Sequence, residues 1–255
     1  MNSALILGPL GMIVVGILAI AFWRMRSRAG LKYFLMGGII WAVAIAPKIV
    51  MDLTITNSIS SWFYSSLGLE GMLIAVGAYV GIRTGLFECG FTYLGFRGTR
   101  LKEASLDEAT AFGVGFGAAE AIVIAIPSLV QLALFILNPA MLDLLQPAQR
   151  LALEAQLNMS TWTVPAPIIE RLFVIFVHTF TALLVFISVV KGRPSFFVAA
   201  FLFKTLLDGV IPYLQWALQP YTSLTGLYLI EGFVVVMGLI RLWGIIQLRK
   251  RYQQS

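Results

Sequence analysis

Seven of the twelve acidic residues, Asp52, Glu70, Glu88, Glu120, Glu170, Asp208 and Glu231, fall inside long apolar stretches. So do Lys48, Arg83, Arg171, Lys204, Arg241 and the single histidine, His178. An ionisable side chain in mid-bilayer costs at least ~2.5–3.5 kcal/mol on insertion scales, so such groups face a protein-lined cavity and take partners. The chemistry open to them is proton transfer. A desolvated carboxylate is a competent general base, and histidine, lysine or arginine can hold a developing oxyanion. Glu120 stands out because Gly113, Gly115 and Gly117 precede it, letting another backbone or a substrate come close, and Pro127 follows as an expected kink. Other charges have structural readings. Lys204 and Asp208 are spaced i, i+4 and can neutralise each other. Arg171 shares a helix face with His178 and can brace Glu170 or Glu231, while Arg241 and Glu70 can snorkel to an interface.

The elements that must position these groups follow from composition. The 255 residues are 59% hydrophobic and only 12% charged, and their mean hydropathy is +0.90, against a soluble norm near ~45–50% apolar and ~25% charged. Too little charge is available to cover a water-soluble surface, which excludes an ordinary soluble domain and points to an all-α polytopic membrane protein. Apolar stretches of about 20 residues or more, enough to cross ~30 Å of hydrocarbon, lie near 4–23, 31–53, 65–90, 109–137, 168–190, 195–218 and 226–248. The spacing predicts a bundle of seven transmembrane helices in a single integral-membrane domain over residues 1–255, with a peripheral first helix and a core at about 31–248.

Twelve of the eighteen basic residues sit in alternate connections, after the first, third, fifth and seventh helices, whereas the loops near 54–64, 138–167 and 219–225 hold only Arg150. The positive-inside rule then predicts an external N-terminus and a cytoplasmic C-terminus, in the cytoplasmic (plasma) membrane. Counting ~1.5 Å per residue puts Glu120, His178, Lys204 and Asp208 near the midplane. Lys48, Asp52, Glu70, Glu170, Arg171 and Glu231 fall nearer the outer face, and Glu88 and Arg241 nearer the cytoplasm. The longest loop, 138–167, reads as a plain connector, with a short amphipathic helix around Gln149 to Leu157 as the alternative.

Several other classes are excluded. The net charge of +6 suggests nucleic acid until the charges are placed; with twelve of the eighteen basic residues explained by topology, no aromatic-interleaved basic face remains. Cys89 is the only cysteine, so it forms no internal disulfide and reads as a small packing residue. The run Gly113 to Gly117 has no preceding strand and is a helix-packing device rather than a dinucleotide fingerprint. With one histidine and one cysteine, a conventional zinc site is not expected, and neither is any cofactor. The first apolar run lacks preceding basic residues and reads as a retained anchor helix. An ion-coupled transporter is a weaker alternative, since seven spans without internal similarity lack inverted halves.

Five stretches carry a more specific signal: Thr84–Arg97 (TGLFECGFTYLGFR), Ala111–Ile122 (AFGVGFGAAEAI), Ile169–Val185 (IERLFVIFVHTFTALLV), Val190–Val210 (VKGRPSFFVAAFLFKTLLDGV) and Ile230–Phe233 (IEGF). In order and spacing they resemble the YhfC-like family of intramembrane peptidases, akin to the glutamic-type CAAX prenyl proteases. The first two helices match in hydropathy alone.

The resemblance implies a membrane cavity in which a Glu-Glu pair and histidines activate water against a peptide bond of a membrane substrate. It implies Glu88, Glu120, His178 and Asp208 as the catalytic set, supported by Lys204, Glu170, Arg171 and Glu231. Three positions depart from the pattern: Cys89 replaces the second carboxylate, Thr92 the arginine and Phe116 a histidine. Lys204 also stands at a histidine position. A degenerate peptidase is therefore the expectation, active through Glu88 or Glu120 as base and Lys204 or His178 as electrophile. The alternative is a pseudoenzyme that binds a transmembrane partner subunit or membrane lipid in the same cavity.

Overall fold

The computed structural model describes residues 1–253, and among them every regular element is helical. The principal helices are α1 (Leu7–Ser27), α2 (Leu31–Thr54), α3 (Thr56–Thr84), α4 (Gly90–Gly98), α5 (Leu106–Leu137), α6 (Pro147–Leu157), α7 (Pro165–Lys191), α8 (Pro194–Leu218) and α9 (Leu224–Gln253). A π-helical segment, Gly85–Cys89, joins α3 to α4, so that one span of 43 residues runs from Thr56 to Gly98. Among the described residues seven spans are long and apolar enough to cross a membrane, at the places the hydropathy predicts. The exterior supports the assignment, since Leu18, Phe22, Ile74 and Leu206 point outward and are at least 60% exposed while Lys204, His178 and Glu88 are buried. That is the reverse of a water-soluble surface.

Local sequence sets the helix ends. Ser105 and Glu108 form a capping box at the start of α5, the hydroxyl accepting from Glu108 N–H and the carboxylate from Ser105 N–H. Proline opens α6, α7 and α8, where its missing N–H costs nothing.

Two readings of the connections need correction. The stretch at about 54–64 is helical: α2 gives way to α3 at Ile55, and the bend comes later, at Gly68, whose φ of +69° favours glycine. The polar run Ser58 to Ser61 lowers the hydropathy there without preventing helix. Residues 147–157 form α6, with Leu153 and Leu157 buried, so the 138–167 connection is no plain loop. Across Pro127, α5 continues to Leu137.

α7 is the central helix, packed against α1, α5, α8 and α9, and 72% of its most apolar window is buried. α5 joins it to α1 and α2, while α3 lies along α8. Phe96 of α4, Phe112 of α5 and Phe186 of α7 form an aromatic knot with ring centroids 4.7 and 5.2 Å apart.

Two glycine seams set the approach of the helices. Gly113 and Gly117 face α7, where a Cβ would come within 2.6 Å of Thr179 Cα and 2.9 Å of Ile175 Cα, and Gly115 faces the α2 backbone at Phe34. Gly77, Gly81 and Gly85 lie every fourth residue and press on α8, a Cβ on Gly81 meeting Thr205 O at 2.2 Å. Gly81→Ala is therefore expected to lower the melting temperature in mild detergent, with a cost of about 1–3 kcal/mol from overpacking. Gly90→Ala, whose Cβ would meet nothing within 4 Å, is expected to leave melting unchanged.

Candidate active site

The glycine seams draw α2, the π segment, α5, α7 and α8 together around two carboxylates, Glu88, which is buried, and Glu120, which is largely so. Glu88 comes from the π-helical segment, a backbone form that recurs at functional sites because it turns one side chain out of the regular helical series. Its Oε1 accepts from Lys48 Nζ of α2 at 2.6 Å, and its Oε2 lies 3.1 Å from Lys204 Nζ of α8. Glu120 of α5 accepts from Arg171 Nη1 of α7 at 2.6 Å and from Trp41 Nε1 of α2 at 3.1 Å.

His178 of α7 bridges the pair. Nε2 stands 2.9 Å from Glu120 Oε2 and Nδ1 stands 3.7 Å from Glu88 Oε2. The short contact is close without being aligned, for Nε2 makes no hydrogen bond of proper geometry, and neither does Glu88 Oε2. Both atoms are buried. Phe116 lies tilted against the imidazole with centroids 4.8 Å apart and fixes its plane.

The remaining sequence candidates fall around this centre. Asp208 lies 3.7 Å from Lys204, so the i, i+4 pair exists, but the lysine is nearer to Glu88. Arg171 binds Glu120 and Glu170 rather than Glu231. Glu231 is buried with Oε2 unpartnered. Arg241, expected to snorkel, is 2% exposed and sits over the Phe203 ring while donating to Met237 O.

Glu88 is not displaced toward one face. Its contacts with Lys48 and Lys204 put it level with the centre, because the third span runs on to Gly98 and counting from residue 90 misjudges its depth. Sequence reasoning missed Trp41, an indole in an apolar helix with nothing to mark it, and gave Lys48 no partner.

The centre faces two spaces. A large cavity of about 1120 Å³ opens between α2, α3, α5, α7, α8 and α9, with Glu88, Glu120, Lys48, Lys204, Asp208 and Glu231 on its wall and α6 at its rim. Behind Glu88 a small one, about 10 Å³ or room for one water, is lined by His178, Cys89, Thr92 and Phe116. Cys89, Thr92 and Phe116, three of the four positions expected to differ from the family pattern, thus lie together in the structure. Cys89 is a free, buried thiol.

The fold and centre define a seven-span membrane protein with a buried carboxylate and histidine site. The sequence matches the family described as YhfC intramembrane metalloprotease over residues 11–232, and the chain belongs to that family. No curated protein and no solved structure matches it.

The family's description implies a metal, and the residues present do not fit one. Among the described residues no three histidine, cysteine, aspartate or glutamate side chains converge as a ligand set. The carboxylates that would serve are already neutralised, Glu88 by two ammonium groups and Glu120 by a guanidinium. A dication beside Lys204 would meet repulsion in a low-dielectric site.

Removing one partner of a buried ion pair leaves an uncompensated charge. Lys48→Met is expected to destabilise the protein by about 3–5 kcal/mol. In a double-mutant cycle read by thermal unfolding in detergent, adding Glu88→Gln should recover part of that loss.

Proposed function

We propose that the protein hydrolyses a peptide bond of a membrane-embedded substrate without a metal ion. The observation that carries this reading is the position of Glu88, a residue that lines both the large cavity and the small space beside His178. Glu88 Oε2 and Lys204 Nζ stand side by side, 3.1 Å apart, just beneath the large cavity's wall, so an entering substrate reaches them by displacing the groups that cover Oε2.

Water held by Glu88 gives up a proton to the carboxylate as its oxygen attacks the scissile carbonyl. The carbonyl oxygen becomes an oxyanion, and the Lys204 ammonium stabilises it. Collapse of the tetrahedral intermediate breaks the C–N bond, and the proton on Glu88 passes to the leaving amine. His178 stands behind Glu88 with Nδ1 at 3.7 Å, where it can share the proton through a bridging water. Glu120 keeps the imidazole in place and is itself held by Trp41 and Arg171. Asp208 and Lys48 balance charge around Glu88 and Lys204.

A second reading has its own support. Phe116 against His178, with Cys89 and Thr92 beside it, leaves the rear of the centre without the carboxylate, arginine and histidine of the family pattern. A non-catalytic subunit that binds a transmembrane partner or lipid in the large cavity would need no more.

Reconstitution with candidate membrane substrates separates the two. Glu88→Gln should lower cleavage about 10²–10⁴-fold and Lys204→Met about 10²–10³-fold, and excess chelator should leave the wild-type rate unchanged. Cleavage that survives both Glu88→Gln and Glu120→Gln would sink the glutamate mechanism. No cleavage, together with a stoichiometric partner or lipid recovered in mild detergent, would establish the second reading.

A further inference from the structure

Charge is not balanced along the large cavity. Five carboxylates, Glu88, Glu120, Glu170, Asp208 and Glu231, line it, and the fixed cations are Lys48 and Lys204 on its wall with Arg171 behind. Lys48 and Lys204 serve Glu88, and Lys204 also stands 3.7 Å from Asp208. Arg171 is divided between Glu120 and Glu170. Five carboxylates thus share three fixed cations.

The excess is localised. Glu231, near the start of α9, is 6% exposed, and its Oε2 is buried without a hydrogen-bond partner. Glu170 and Arg171 both lie within its electrostatic reach, and Glu170, with its own side chain 34% exposed, is tied to Arg171 on one side only. On α9 the apolar Leu227, Ile230 and Val234 flank Glu231 and line the cavity, as do Ile211 and Pro212 of α8, among polar groups that include Gln215, Tyr221 and Thr222.

A buried carboxylate oxygen without a partner, flanked by apolar side chains on the wall of a cavity this size, is matched by a cation carried on an apolar body. We propose that Glu231, with Glu170, is a binding subsite for the ammonium or guanidinium of a lysine or arginine in the membrane-embedded substrate segment. This rests on the peptidase reading for its occupant and adds what that reading lacks, a determinant of which segment is taken. The charge-assisted contact positions the chain along α9, while Glu88 and Lys204 act elsewhere on the same cavity. Glu231 makes no contact with the reacting atoms and is a positioning residue. A basic residue lowers the cost of its own burial by entering a cavity that offers it an unpartnered carboxylate.

The test is a binding measurement on the full chain in phosphatidylglycerol nanodiscs, using fluorescent model transmembrane peptides that are identical but for one central residue, lysine or norleucine. Wild-type protein should bind the lysine peptide roughly ten- to a hundredfold more tightly, the range of one charge-assisted hydrogen bond to a buried carboxylate. Glu231→Gln, nearly isosteric and checked for unchanged melting, should erase that preference, and Glu231→Asp should restore part of it. Equal binding of the two peptides by the wild type would overturn the subsite, as would a preference that survives Glu231→Gln. Loss of the preference in phosphatidylethanolamine nanodiscs would also overturn it, assigning the site to a lipid ammonium. Because binding is read without turnover, a lysine preference without cleavage overturns the peptidase reading alone, and cleavage without a preference overturns the subsite alone.

Discussion

Two carboxylates held in a low-dielectric interior are the constraint on which the arrangement depends. Coulomb energies there are several times those in water, so an unpaired Glu88 or Glu120 would either take up a proton or unfold its surroundings. The structure answers with cations delivered from other helices. Lys48 comes from α2, Lys204 from α8 and Arg171 from α7, each within 3.1 Å of its carboxylate. Charges of both signs are thereby locked into one place. The helices that carry them are fixed at distances that apolar packing alone would leave adjustable.

That locking requires close backbones. The two glycine seams supply it in complementary ways, the α5 seam setting α7 and α2 around Glu120 and the α3 seam setting α8 beside Glu88. Hydrocarbon offers no hydrophobic drive between helices, so close packing and polar contacts are the forces left to assemble the site. The pairing of a glycine seam with a buried ion pair occurs on both sides of the centre. At the far end of the bundle, Arg249 of α9 reaches Asp107 and Thr110 of α5, which fixes the helices where the connections are short.

The helical bundle was legible because hydropathy over 20 residues reports a property each span has on its own. The site was legible in its cast more than in its contacts. Glu88, Glu120, His178 and Lys204 all carry a signal, being ionisable residues in apolar surroundings, and four spans bring them together. Their partners were harder to read. Lys48 serves Glu88 across 40 positions of sequence, and Trp41 reaches Glu120 across 79, separations that no local pattern encodes. Arg171 does bind Glu170, one of the two acids the sequence offered it, whereas its other partner, Glu120, lies 51 positions away and was not foreseen. Helix α6 was undervalued for a related reason: its polar face suggested a loop, although Leu153 and Leu157 bury against the bundle.

The π-helical segment at Gly85–Cys89 has a consequence for how this span can vary. A π turn accommodates one residue more than an α turn, and each residue of an α-helix advances the side-chain direction by about 100°. Deleting a single residue there would let the segment close into continuous α-helix while α4 keeps its register with α3, because the wide turn is what absorbs the extra residue. Phe96 would keep its place against Phe112 and Phe186. What would be lost is the turn that carries Glu88 between Lys48 and Lys204. The number of residues in this segment therefore bears on the centre and not on the packing beyond it.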